Sequence, residues 1–139
     1  MKTITFFLII MALIFTSNTF AGLTQPAEVS VDMDNRTAQG DMNTARTSES
    51  EFTFIGCGIR RTVNGTDVLT FGFCQASAGE SEDGAITCFT QNEALLESIN
   101  SLSDYSFITF SWDENNDCTR IGNSTQSFYL PNLKQKKNK

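Results

Sequence analysis

The stretch that decides the fold, residues 52–75, is FTFIGCGIRRTVNGTDVLTFGFCQ. Apolar and polar side chains alternate on both sides of Asn64-Gly65, and this dipeptide between two strand-like runs predicts a β-hairpin with a two-residue loop. Such a loop sets Cys57 opposite Gly72, so we expect a bulge at the neighbouring glycines that brings Cys57 opposite Cys74. The second run places three large apolar residues on one face of its strand, namely Leu69, Phe71 and Phe73.

Downstream of the hairpin, the periodicity changes twice. Residues 85–89 predict a third strand, and Thr90 followed by Glu93 matches a capping box that begins an amphipathic helix over residues 91–102. The remaining alternating runs predict two more strands and a short final one, over residues 105–112, 118–121 and 126–130. The sequence therefore predicts an α+β fold: one small antiparallel sheet of five to six strands, in the order β-β-β-α-β-β(-β), with one helix packed on it.

The N-terminus indicates export. Lys2, an apolar run of about twelve residues and a Thr-Phe-Ala ending are typical of a secretory signal peptide that is cleaved near Ala21. The run is shorter than the roughly twenty residues that span a bilayer, so we expect no stable membrane insertion. The predicted organisation is a signal peptide (residues 1–21), a flexible leader (22–39), a disulfide-stapled domain (40–131) and a basic disordered tail (132–139).

The four cysteines predict two disulfides, because an even number in a small secreted chain is most simply paired. The hairpin favours Cys57 with Cys74. A helix that connects the third and fourth strands of one sheet makes those strands parallel, which brings Cys88 and Cys118 to a shared edge.

The net charge of the predicted domain limits the classes of partner that it can bind. Residues 22–131 carry five basic and sixteen acidic residues, a net charge of −11, while four lysines cluster in the final eight residues. Such a field repels phosphate backbones, so we expect no nucleic-acid binding. The expected partner is a protein or a glycan of unknown identity, and the sequence leaves the oligomeric state open.

The chain contains no histidine. This excludes Ser-His-Asp and Cys-His catalysis and imidazole metal sites, and paired cysteines leave no thiol nucleophile. Carboxylates alone remain for a hydrolase of the glycosidase type. Candidate acids occur in predicted turns, namely Asp67, Glu80, Glu82, Asp83, Asp104, Asp113 and Glu114.

Other side chains are weaker candidates. Asp113, Asn115 and Asp117 alternate as in a calcium loop, but Cys118 and Ser124 occupy positions that need glycine and glutamate, so the sequence favours a hairpin turn and no cofactor. The candidates for binding a partner are Arg46, Tyr105 and Trp112. The two aromatic residues belong either to an exposed platform or to the core.

Several short motifs resemble a group of small exported bacterial proteins of uncharacterised function. They are Gly40-Asp41-Met42, Ala45-Arg46-Thr47-Ser48, Ile55-Gly56-Cys57, Cys74-Gln75-Ala76, Cys88, Asp104-Tyr105-Ser106-Phe107-Ile108 and Cys118-Thr119. The resemblance implies a bacterial envelope or extracellular location, brings no catalytic residue, and implies that residues 42–48 dock on the domain. Residues 41–46 on their own predict one helical turn capped by Asp41. Val29 and Val31 alternate with polar residues and predict an edge strand.

We therefore expect a non-enzymatic binding or structural module of the bacterial periplasm or extracellular space. The alternatives are a carboxylate-dependent hydrolase, and an inhibitor of a secreted enzyme acting through the loop at residues 78–84.

Overall fold

The computed structural model describes residues 22–79 and 84–131. The predicted signal peptide, the basic tail and residues 80–83, three of which are acidic, lie outside them. The elements in chain order are β1 (Ser30–Asp32), β2 (Thr37–Asp41), α1 (Met42–Arg46), β3 (Thr53–Asn64), β4 (Asp67–Ala78), β5 (Ile86–Thr90), α2 (Glu93–Asn100), β6 (Phe107–Trp112), β7 (Cys118–Ser124) and a 3₁₀ helix (Ser127–Tyr129).

The strands form two antiparallel sheets, with the orders β1-β2-β6-β7 and β3-β4-β5. An α+β fold with two disulfides is confirmed, whereas the prediction of a single sheet of five to six strands is wrong. β2 pairs with β6 on the side opposite β7, so β6 has no free edge left for β5. The chain through α2 therefore crosses from one sheet to the other, and β5 and β6 are not parallel neighbours.

The inner faces of the two sheets share one hydrophobic core. The smaller sheet contributes Ile55, Cys74, Ala76, Ile86 and Cys88, the larger sheet contributes Ala38, Ile108, Phe110, Trp112, Cys118 and Ile121, and α2 contributes Ile99. In β6, buried and half-buried residues alternate along the whole strand, as expected for a strand with one face on the core. Ile99 reaches Gly72 of β4 so closely that a Cβ there would lie 2.6 Å from Ile99 Cδ1.

The β3–β4 hairpin forms with a register different from the predicted one. Asn64 pairs with Asp67, so the two loop residues are Gly65 and Thr66. Gly65 has φ 64°, and glycine at the first loop position is the requirement of a type II′ turn. This shift of one residue places Cys57 directly opposite Cys74, and no bulge is needed.

Both predicted cysteine pairs are present as disulfides, Cys57–Cys74 and Cys88–Cys118. The first pair joins neighbouring strands of the smaller sheet. The second joins β5 to β7 and thus ties the two sheets together, which differs from the shared edge of one sheet that the sequence argument assumed. Two disulfides indicate an oxidising compartment such as the cell exterior.

Helix α2 is shorter than the predicted range and begins at a different cap. Thr90 is the last residue of β5, and its hydroxyl accepts a hydrogen bond from the Asn92 amide at 3.1 Å. Asn92 is the N-cap, since its Oδ1 accepts from the amides of Ala94 and Leu95. The predicted Thr90–Glu93 capping box is therefore wrong, although the helix is real. The predicted last strand is also wrong, because a 3₁₀ helix occupies Ser127–Tyr129.

The segment expected to be a flexible leader, residues 22–39, contains β1 and the first three residues of β2. The edge strand suggested by Val29 and Val31 is present as β1, and β2 was not predicted. β2 packs tightly because Gly40 has no side chain: a Cβ there would lie 2.8 Å from Val29 Cα. The folded unit therefore extends upstream of the predicted boundary at residue 40.

Candidate functional site

A cavity of about 360 Å³ opens beside α1, the start of β3 and the turn before β6. We call it the α1 pocket. Its lining residues are Met42, Ala45, Arg46, Thr53, Phe54, Ile55, Asp104 and Tyr105. Volumes of about 300–1,000 Å³ are typical of small-molecule sites, which places this cavity at the small end of that range.

Asp41 fixes the helix that forms one wall of the α1 pocket. It is 1% exposed, and its two carboxylate oxygens accept from the Ala27 amide at 2.6 Å, the Thr44 amide at 2.7 Å and the Thr44 hydroxyl at 2.6 Å. The predicted helical turn capped by Asp41 is confirmed. Three donors satisfy this buried carboxylate, so its place in the structure is the cap of α1 and the anchor of Ala27.

The turn before β6 also lines the α1 pocket and is tied to α1. The Ser106 hydroxyl donates to the Ser103 carbonyl at 2.8 Å, and the Met42 amide donates to the Ser106 carbonyl at 3.1 Å. Tyr105 lies in this turn with φ 64°, a conformation that costs a non-glycine residue about 1–3 kcal/mol. The surrounding hydrogen bonds hold the tyrosine beside the pocket in this unfavourable conformation.

The pocket combines an apolar floor with opposite charges at its rim. Ala45 and Ile55 are buried, whereas Arg46, Asp104 and Tyr105 are exposed. A ligand whose apolar group enters the cavity removes that group from water, while its polar atoms can stay at the rim, where Arg46 offers a guanidinium and Asp104 a carboxylate. Such a site recognises a molecule by both its apolar body and its polar head.

Two of the three predicted binding residues, Arg46 and Tyr105, line this cavity together. Trp112 does not join them, because it is 5% exposed and its ring lies 5.9 Å from that of Phe110 in the core. Phe54 and Asp104 were not among the binding candidates. The alternation of β3 places Phe54 away from the core and could have suggested it, but nothing local in the sequence indicates that Asp104 lies near Arg46.

The suggested calcium ligands lie in the β6–β7 turn. Asp113 Oδ1 accepts from the amides of Asn115 at 2.9 Å and Asp117 at 3.0 Å, and Asn116 adopts φ 62°. The Asp113 side chain thus organises the turn, as the hairpin interpretation requires. Within residues 22–79 and 84–131, no group of three or more His, Cys, Asp or Glu side chains is placed to hold a metal ion.

Comparison with protein-family models, curated proteins and solved structures found no match to this chain. The resemblance to small exported bacterial proteins therefore remains an expectation. Among the described helices, none has the length and apolar character needed to cross a membrane.

Proposed function

We propose that the protein is a small, exported, non-enzymatic binding module of the bacterial periplasm or extracellular space, and that the α1 pocket takes an apolar amino-acid side chain. The ligand class is a free amino acid or the end of a peptide. The observation that carries the proposal is one apolar cavity of about 360 Å³ with Arg46 and Asp104 both at its lining.

The charges define the polar part of this ligand. A guanidinium binds a carboxylate through charge-assisted hydrogen bonds, and a carboxylate such as Asp104 binds an ammonium or amide N–H in the same way. An amino acid presents both groups next to its side chain. When the apolar side chain of an amino acid occupies the cavity, the carboxylate of that amino acid can bind Arg46 and its nitrogen can bind Asp104.

Arg46 also has a structural explanation, since a cation in the last turn of a helix interacts favourably with the helix dipole. If that were its only role, the effect of replacing Arg46 would not depend on which ligand is bound. The proposal predicts that Arg46 contributes to binding only when the ligand carries a carboxylate, which separates the two roles experimentally.

The test is isothermal titration calorimetry of the exported, oxidised chain with phenylalanine, N-acetylphenylalanine and phenylalaninamide. We expect phenylalanine to bind most tightly. Arg46→Gln should weaken binding of N-acetylphenylalanine by about 10- to 100-fold, the value of a hydrogen bond to a charged group, and leave phenylalaninamide unaffected. Arg120→Gln, at an exposed arginine on β7, is the matched control and should change neither affinity.

Absence of binding by all three compounds would refute the proposal, and equal losses for both charged derivatives in Arg46→Gln would assign Arg46 a structural role. No observation on the described residues favours the hydrolase alternative, since the one carboxylate buried among them, Asp41, is used to cap α1. The loop that the inhibitor alternative requires includes residues 80–83 and lies largely outside the described residues.

A further inference from the structure

The outer face of the smaller sheet carries large apolar side chains that do not belong to the core. Along β4 and β5 the side chains alternate, and Cys74 and Cys88 point inward while their neighbours point outward. We call the outward set the phenyl face, which consists of Leu69, Phe71, Phe73 and Phe89. Leu69 is 54% exposed and Phe89 is 48% exposed, and both other members are half-buried.

The rings of the phenyl face form a row across the strands, in which Phe71 packs against Phe89 and Phe73 lies over Gly58. The centroids of Phe71 and Phe89 are 6.3 Å apart, and the Arg60 guanidinium carbon lies 4.9 Å from the centroid of Phe73. Gly58 permits this arrangement, because a Cβ at that position would lie 2.9 Å from Phe73 Cζ. The alternation of β4 predicted in the sequence places Phe71 and Phe73 on this face, and Phe89 of β5 extends the row.

Opposite charges lie at the two ends of the row. Arg60 is directly opposite Phe71 and lies on β3, the outermost strand of this sheet. At the other end, Phe89 forms a parallel bridge with Asp117, supported by a hydrogen bond of 2.9 Å from the Phe89 amide to the Asn116 carbonyl. Residues that face each other in a bridge point to the same side, so Asp117 belongs to the outer face as well. A cavity of about 550 Å³ lies between Phe71, Phe89 and Asp117.

We propose that the phenyl face is the interface of a two-fold symmetric homodimer. A two-fold axis parallel to the strands stacks the outer faces of two copies and exchanges their ends. Arg60 lies two residues along β3 from the row of Phe73, Phe89 and Asp117, but its guanidinium extends over the Phe73 ring into that row, so that it lies over Asp117 of the other copy. Across the strands, Arg60 and Asp117 are separated by three strand spacings, about 14 Å, with only apolar rings and Gly58 between them. The face is therefore complementary to itself, because its apolar rings meet apolar rings and its opposite charges meet each other, as an isologous interface requires.

The second copy fits this face better than another charged partner does. The net charge of −11 over residues 22–131 repels any anionic partner, a second copy included, but a second copy offsets this repulsion with apolar rings and with one carboxylate at the required position. Apolar burial of the rings would drive the association, and the two ion pairs would fix its orientation. This proposal does not depend on a ligand in the α1 pocket.

The test is sedimentation equilibrium of the exported, oxidised chain from low micromolar to near-millimolar concentration. We expect a concentration-dependent mass that reaches twice that of the chain. Phe89→Ser should weaken the dimer at least tenfold. Val63→Ser is the matched control, because Val63 is 69% exposed on the opposite face of the hairpin and should leave the mass unchanged.

Charge reversal tests the geometry itself. Arg60→Asp and Asp117→Arg should each weaken the dimer, because they place like charges over each other, and the double variant should restore it. Circular dichroism of each variant verifies the fold. A monomer at every concentration would overturn the proposal, including a monomer whose phenyl face binds a glycan or another protein. A dimer that Phe89→Ser leaves intact, or that the double variant does not restore, would also overturn it.

Discussion

Replacing Gly40 by alanine tests whether the upstream segment is part of the core. The added Cβ would lie 2.8 Å from Val29 Cα, 3.0 Å from Val29 Cγ2 and 3.2 Å from the Glu28 carbonyl oxygen. Carbon atoms in contact prefer separations of about 3.5–4.0 Å, and two of these three neighbours are backbone atoms that cannot rotate away. The segment before β1 must therefore move relative to β2 by the better part of an ångström.

The expected cost follows from measured overpacking effects. Forcing additional carbon into a packed site destabilises by about 1–3 kcal/mol, so Gly40→Ala should lower the melting temperature by about 4–12 °C for a domain of this size. Gly56→Ala is the matched control, since nothing lies within 4 Å of its added Cβ and alanine is favoured over glycine in a strand. It should leave the melting temperature unchanged or raise it.

The assay is thermal unfolding of the oxidised chain, followed by circular dichroism. If Gly40→Ala and Gly56→Ala unfold at the same temperature, the packing of residues 28 and 29 against β2 is refuted. A lower melting temperature for Gly40→Ala alone would show that this upstream segment contributes to stability.

Three further predictions follow from the hydrogen bonds and disulfides. Asp41→Asn should lower the free energy of unfolding in urea by about 1–3 kcal/mol, because an amide NH₂ would face the donors of Ala27 and Thr44; an unchanged value would contradict the capping role. Replacing Cys88 and Cys118 together by serine should cost about 3–4 kcal/mol, as expected for a bridge across 30 residues, and a loss below about 1 kcal/mol in the same assay would contradict it. The side-chain amide of Asn35 donates to Asp32 and is the main cause of the lowered pKa of that carboxyl, and the Asn35 backbone N–H is the second cause, so Asn35→Ala should raise the pKa in an NMR titration; a pKa that does not change would exclude the side-chain bond as its main cause. Because the pKa is lowered in the folded state, the stabilisation is present above the unfolded pKa and is lost as the pH falls through the folded value.

Local signals in the sequence predicted local structure well. The alternation of residues 52–75 gave the β3–β4 hairpin, and Asp41 gave the cap of α1. The loop was displaced by one residue, because glycine at the first loop position satisfies a type II′ turn as well as Asn-Gly satisfies type I′. The error in register decided whether a bulge was needed to pair Cys57 with Cys74.

The division into two sheets could not be predicted from local patterns. β2 consists of Thr37, Ala38, Gln39, Gly40 and Asp41, small or polar residues of which only Thr37 has a marked tendency to form strands. It is a strand because it fits between β1 and β6, where Ala38 pairs with Val31 and Phe110 and where a side chain at Gly40 would clash with Val29; this is a tertiary effect. Without β2, β6 appeared to have an edge free for β5, and the single-sheet prediction followed.

The candidate site was predicted in part for the same reason. Arg46 and Tyr105 were identified from residue type and motif, but the α1 pocket depends on three segments that are distant in the chain. Trp112 was ambiguous because a strand of alternating aromatics fits either an exposed platform or a core strand. In the structure the outward-facing rings of the smaller sheet belong to β4 and β5, and the alternation of β4 was visible in the sequence.

The most direct test of the proposed binding function is a chemical-shift map of the ¹⁵N-labelled, oxidised chain titrated with N-acetylphenylalanine. The proposal predicts saturable shifts at the amides of Ala45, Ile55 and Tyr105, and saturation at about 10- to 100-fold higher ligand concentration in Arg46→Gln. The absence of saturable shifts at these amides, or the largest shifts at Phe71 and Phe89 on the phenyl face, would contradict it.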